Sequence, residues 1–187
     1  DQQLKRTVAL EMAREVIARG EEVPLKATGF SMGGAIRSGE WLIVRRIAPE
    51  EVRRGDIVIY PQSTVFVAHR VIRRWREGPE LHVQTKGDGH LAADEPIPAG
   101  AVVARVVAVR RGARTLRLDR GPGLVLSRLL WLYSLVVWRC YCLVRPGGRR
   151  PVPPGRSASP RRWRAAIRWA LRWPTVWLGW IGRRFSR

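Results

Sequence analysis

Val65-Phe66-Val67-Ala68-His69-Arg70-Val71-Ile72-Arg73-Arg74-Trp75 is the longest stretch in the chain that is rich in β-forming residues. Such residues fit a pleated, half-buried surface, so the run reads as a strand. Alternation puts His69 on one face with Val65, Val67 and Val71, the apolar and therefore buried face. Working outward, further strands are expected at Val23–Thr28, Trp41–Arg46, Asp56–Tyr60, Leu81–Lys86 and Ala101–Val109, with a short one at Thr115–Leu118. Gly39, Pro49, Gly55, Pro61, Gly78, Gly87 and Gly100 punctuate the intervals. Many short strands joined by turns predict a mainly β fold, a coiled antiparallel sheet or partial barrel.

The flanks read differently. Leu4, Val8, Met12 and Val16 recur every fourth residue ahead of Gly20, the pattern of a short amphipathic helix within residues 1–22. No signal peptide or membrane anchor is visible ahead of residue 23, and the chain starts without Met. The β-rich region, residues 23–121, ends at Gly121-Pro122-Gly123. Leu124–Val144 is apolar apart from Ser127, Arg128, Ser134 and Arg139, long enough to cross a bilayer, so residues 122–145 form a possible transmembrane segment. A Pro/Gly/Arg/Ser linker follows over 146–160, and then an Arg/Trp-rich amphipathic tail over 161–187. Trp169, Trp173, Trp177 and Trp180 are spaced for one helical face in that tail, with Pro174 set to kink it. Arginine with tryptophan suits a membrane interface better than a nucleic-acid surface.

The formal net charge of +20 belongs to this tail. Residues 1–113 hold 18 Lys+Arg against 14 Asp+Glu, whereas residues 114–187 hold 17 Arg and one acid, Asp119. The first two thirds therefore carry the charge balance of an ordinary globular domain. Membrane, rather than nucleic acid, is the expected partner of the C-terminal segments. Cys140 and Cys142 are too close for an easy disulfide and lack zinc-site partners, so they read as small apolar filler.

Three places carry candidate chemistry. Ser31 lies in Thr28-Gly29-Phe30-Ser31-Met32-Gly33-Gly34, where flanking glycines permit a sharp turn and close approach. A serine hydroxyl becomes a nucleophile only when a base takes its proton and donors hold the developing oxyanion. His69, half-buried, is a usable base near neutral pH. Asp88 and Asp94 frame the loop Lys86-Gly87-Asp88-Gly89-His90-Leu91-Ala92-Ala93-Asp94, and either could orient the imidazole. Taken singly, each has an ordinary structural reading: a turn serine, a core histidine, an Asp-Gly turn. His82 and His90 with Asp88 show no metal-ligand spacing. No cofactor or metal is expected.

Together, the order and spacing of these segments resemble the type I signal peptidases. Gly29-Phe30-Ser31-Met32 followed by Ile36-Arg37-Ser38-Gly39-Glu40 is similar to that family's nucleophile box, Gly-x-Ser-Met-x-Pro-x-Ile-x-x-Gly-Asp. Gly55-Asp56-Ile57-Val58 resembles its next Gly-Asp strand. Val67-Ala68-His69-Arg70-Val71 falls where bacterial-type members carry Lys-Arg-Val, and histidine there marks the endoplasmic-reticulum-type Ser-His branch. Thr85-Lys86-Gly87-Asp88 and Asp94 match that branch's Lys-Gly-Asp box and its following acid. The likeness spans about residues 23–110. The departures are Gly34 for the usual proline, Glu40 for the usual Asp, and the Leu4–Val16 helix in place of an N-terminal transmembrane anchor.

The resemblance implies the family's coiled, mostly β peptidase fold, with Ser31 as nucleophile, His69 as general base and Asp94 as third member. Asp88 supports the site and is the second choice for that role. The Ser31 N–H would supply part of the oxyanion hole, while Gly29 stands where some bacterial-type members carry a second donor, a serine hydroxyl. Self-cleaving repressors of related fold use lysine as base, so His69 argues against them. The implied activity is a serine endopeptidase that removes a signal or leader segment from a secreted, membrane or ribosomally made precursor. Small side chains would be accepted before the cut, and Met32 and Ile36 are candidates to line the pockets. The positive-inside rule would place the tail in the cytoplasm and the catalytic domain outside, with inner-leaflet attachment as the other arrangement. From a different class comes a catalytically silent peptidase-fold scaffold acting through its Arg/Trp tail.

Overall fold

The computed structural model describes residues 12, 15–33, 35–63 and 65–144. As expected, the fold is mainly antiparallel β with a C-terminal helix. The strands are β1 (Val23–Lys26), β2 (Trp41–Arg46), β3 (Ile57–Gln62), β4 (Val65–Glu77), β5 (Glu80–Lys86), β6 (Ile97–Pro98), β7 (Ala104–Arg111) and β8 (Arg114–Arg117). They form one sheet in the order β1-β2-β7-β3-β4-β5-β6, with β8 paired to the end of β7. Helix α1 follows at Gly121–Val144 and packs against β4 and β8.

Strand β3 shows why the sheet curls. Ile57 and Ile59 point into one core with Met32, Ile36, Leu42, Val44 and Val106, while Val58 and Tyr60 point into a second with Val71, Leu81, Val83 and Val102. An all-apolar Ile-Val-Ile-Tyr run is what a strand covered on both faces requires. Each such side chain taken fully out of water contributes about 1.5–3 kcal/mol.

Several strand limits differ from the sequence reading. Ala27 and Thr28 leave β1 early, because Ala27 N–H bonds to Glu40 O (2.8 Å) and Gly39 N–H bonds to Ala27 O (2.9 Å). Those bonds pinch off the loop carrying Ser31. Asp56 lies in a turn before β3, its carboxylate accepting the Arg53 N–H at 2.9 Å. Strand β3 runs on through Pro61, which is tolerated because β3 pairs with β7 only at Val58 and Ile59. Ala99–Ala101 is a short 3-10 helix instead of the start of β7. The two-residue β6 was not expected, since its Pro98 reads against a strand.

The expected N-terminal helix falls mostly outside the described residues. Within them, residues 15–18 are helical, and Ile17 enters the first core while Met12 and Val16 are exposed. The buried side is therefore one residue on from the expected Met12/Val16 stripe. On β4, Val71 and His69 are buried as expected, but Val65 is exposed at the hairpin end. Arg70 and Ile72 on the opposite face are buried too, because β4 bulges between Val71 and Arg73 and α1 covers that side. Linker 146–160 and tail 161–187 lie outside the described residues.

Candidate active site

The Ser31 turn is built from main-chain geometry. Gly29 (φ +93°) and Gly33 (φ +56°) adopt left-handed conformations that favour glycine, and Gly33 N–H closes the turn onto Phe30 O at 3.0 Å. Met32 and Ile36 are buried in the first core, so they hold the turn down and present little open surface. Phe30, beside Ser31, is 84% exposed. Glu40, in place of the family's usual Asp, is buried, accepts the Arg37 N–H at 2.9 Å and pairs with Arg111.

The loop after β5 closes over this turn. Gly89 N–H donates to Ser31 O at 2.8 Å. A Cβ on Gly87 would lie 2.6 Å from Ser31 O, 3.0 Å from His90 Nδ1 and 3.1 Å from His69 Nε2. The Ser31 main chain and both imidazoles thus converge on a point that only glycine leaves free.

His69 is opposite Val58 in the β3–β4 register, buried, with its Nδ1 2.6 Å from Asp94 Oδ2. Asp94 is brought there by two bonds to β5: its N–H donates to Thr85 O (2.8 Å), and Gln84 Nε2 donates to its carbonyl (3.0 Å). The same Oδ2 accepts the Thr85 hydroxyl at 2.7 Å and the Tyr60 hydroxyl at 3.4 Å. Burial pushes the Asp94 carboxyl upward, but the bonds from His69 and Thr85 and the charge of His69 outweigh it. The net position is below the ordinary value of 3.8. Burial, then the Asp94 charge, raises Tyr60, so its hydroxyl stays protonated and able to donate.

Asp88 faces elsewhere. Its carboxylate accepts Arg70 Nε (2.9 and 3.1 Å) and the second guanidinium nitrogen (2.7 Å). Of the two aspartates that the sequence leaves open, Asp94 touches His69 and Asp88 braces the loop through Arg70. His90 packs edge-on against His69 with ring centres 5.5 Å apart, and burial followed by the nearby His69 lowers its pKa. His82 is separate, stacked on Trp75. Among the described residues no His, Cys, Asp and Glu cluster could hold a metal.

The sequence points to no role for Tyr60 or Thr85, and His90 has no metal-ligand spacing in it. Their types carry no distinctive spacing, and only the β3–β4–β5 register brings Tyr60 and Thr85 within 3.1 Å of each other.

No family model matches the chain, and no solved structure matches it. Among curated proteins, it is 31% identical over 122 residues to the signal peptidase complex catalytic subunit SEC11 of Colletotrichum graminicola, covering 57% of this chain and 69% of that protein. It is 30% identical, with the same coverage, to the subunit of that name from Sclerotinia sclerotiorum. It is also 32% identical over 66 residues to signal peptidase I W of Bacillus subtilis, covering 34% of this chain and 35% of that protein. A fungal catalytic subunit matched over most of its length, on a chain with this sheet, shows that the protein belongs to the signal peptidase family.

Proposed function

We propose that the chain is a serine endopeptidase of the Ser-His branch, removing a signal or leader segment from a precursor protein or peptide. The observation that carries the mechanism is the 2.6 Å contact between His69 Nδ1 and Asp94, which fixes the tautomer and leaves Nε2 beside the Ser31 turn. In this reading Ser31 Oγ attacks the scissile carbonyl carbon while His69 Nε2 takes the hydroxyl proton. The carbonyl electrons move to oxygen, held by the Ser31 N–H. His69 returns the proton to the leaving amine as the C–N bond breaks. Water, deprotonated by His69, then releases the acyl group from Ser31. Asp94 keeps the imidazolium oriented, Thr85 helps to keep Asp94 ionised, and the Tyr60 hydroxyl braces it. Met32 and Ile36, buried in the first core, would support the Ser31 turn from below instead of touching the substrate side chain.

Membrane association is supported by α1, whose Gly121–Leu143 stretch is long and apolar enough to cross a bilayer. Val125, Leu129, Leu132, Val136 and Leu143 lie exposed along it. The other face of α1 packs on β4 and β8, so this exposed stripe is the face that would meet lipid, which fits attachment along the inner leaflet better than a span. Cleavage of a leader-bearing peptide library tests the function. Products with the parent chain and none with Ser31→Ala or His69→Ala support it, and undiminished cleavage by Ser31→Ala refutes it.

A further inference from the structure

The β4–β5 register sets Arg70 directly opposite Lys86, two cations side by side. Like charges across a sheet repel, and both of these are buried, Arg70 at 1% exposure and Lys86 at 0%. A buried cation is tolerated only when its donors find partners. Arg70 divides its donors between Asp88, the Gly55 carbonyl (3.0 Å) and Ser127, whose hydroxyl it reaches at 2.8 Å. Lys86 makes no ion pair within the described residues. Its Nζ donates to Gly87 O (3.1 Å) and to the Ser134 hydroxyl (2.8 Å).

Both hydroxyls come from α1. Ser127 and Ser134 are seven residues apart, two helical turns, and therefore on one face about 10.5 Å apart. Both are buried, Ser134 at 1% exposure, whereas Val125, Leu129, Leu132 and Val136 occupy the exposed side. Serine is a weaker helix former than alanine or leucine and adds nothing to a purely apolar anchor. Each serine is also joined to the site through a single side chain. Lys86 joins Ser134 to Gly87, the residue wedged between Ser31 O, His69 Nε2 and His90 Nδ1. Arg70 joins Ser127 to Asp88, next to the Gly89 whose N–H holds Ser31 O.

We propose that helix α1 is part of the catalytic apparatus: Ser127 and Ser134 are positioning residues that hold Arg70 and Lys86, and through them fix the Gly87–Gly89 turn against Ser31 and His69. The helix and the site are thereby one mechanical unit. The catalytic half of this statement rests on the peptidase reading above; the helix-to-loop coupling does not.

The test uses the full chain in lipid nanodiscs, comparing the parent with Ser134→Ala, Ser127→Ala and Ser134→Thr, which keeps the hydroxyl. Amide hydrogen exchange is followed at Gly89, His90 and Asp94, together with kcat and KM for a cleaved leader peptide. Ser134→Ala is expected to speed exchange at those amides about tenfold, with β2 and β7 unchanged, and to lower kcat about tenfold with KM held. Ser134→Thr restores both. Arg70 keeps Asp88 and Gly55 in Ser127→Ala, so that variant folds and is expected to show the same local effect more weakly, deciding the matter if Ser134→Ala unfolds. Unchanged exchange in both alanine variants overturns the coupling. Faster exchange with unchanged kcat in a chain whose cleavage depends on Ser31 overturns the positioning role. Absence of Ser31-dependent cleavage in the parent would fell the peptidase reading instead, and the exchange result would still decide the coupling.

Discussion

His69 Nδ1 and Asp94 Oδ2 stand 2.6 Å apart, and the oxygen that meets the imidazole also accepts the Thr85 hydroxyl at 2.7 Å. That shared oxygen makes the pair directional: with Nδ1 donating, Nε2 is the nitrogen free to accept a proton. Because the folded Asp94 carboxyl titrates below 3.8, the stability it contributes is present above that pH. It is lost as the pH falls through the folded value.

Replacing the two aspartates separates their roles. Asp94→Asn is expected to lower kcat by about 10³–10⁴-fold, since the amide can support the wrong tautomer, with a stability loss smaller than that of Asp88→Asn. Asp88→Asn leaves Arg70 buried beside Lys86 with a weakened partner, so its main cost is stability, about 3 kcal/mol by denaturant unfolding. Equal mild losses of rate in the two variants would contradict the assignment.

Gly87→Ala puts a methyl 2.6 Å from Ser31 O and about 3 Å from both imidazoles. The loop must retreat, and a displacement of about 1 Å at reacting groups costs about 100-fold in kcat/KM. Steady-state kinetics on the folded variant checks this; parent-like activity would show that the loop is not part of the site.

The Lys86 ammonium gives a pH signature. Burial lowers its pKa to about 8 from 10.5. Between those values the unfolded chain holds a proton that the folded chain has released, so stability rises with pH there, by up to about 3 kcal/mol in total. Tyr60, raised by burial, acts in the opposite sense above 10. Urea unfolding at pH 7, 8, 9 and 10 should show stability gained relative to Lys86→Met. Parallel curves for the two proteins would remove the assignment.

Much of this arrangement is legible in the residues themselves. Period-two patterning and glycine punctuation mark the sheet, and Gly-Phe-Ser-Met, Ala-His-Arg-Val and Lys-Gly-Asp mark the corners of the site. What the pattern hides is pairing. Alternation puts Arg70 on the face opposite His69, and the bulge after Val71 and the cover of α1 bury that face too. Spacing alone leaves Asp88 and Asp94 equivalent, and only the resemblance ranks Asp94 first, because the choice depends on the Asp94 N–H reaching Thr85 O. Ser127 and Ser134 look like tolerated polar interruptions of an apolar segment. Their purpose appears only when β4 and β5 set two cations beneath them.

Mass analysis of the acylated protein identifies the nucleophile itself. The full chain is incubated with a leader peptide ester that acylates faster than it deacylates, quenched in acid and digested. One acyl group is expected on Ser31, missing from Ser31→Ala and strongly reduced in His69→Ala. Peptide turnover with no adduct on Ser31, or an adduct that forms equally in His69→Ala, would contradict the assignment.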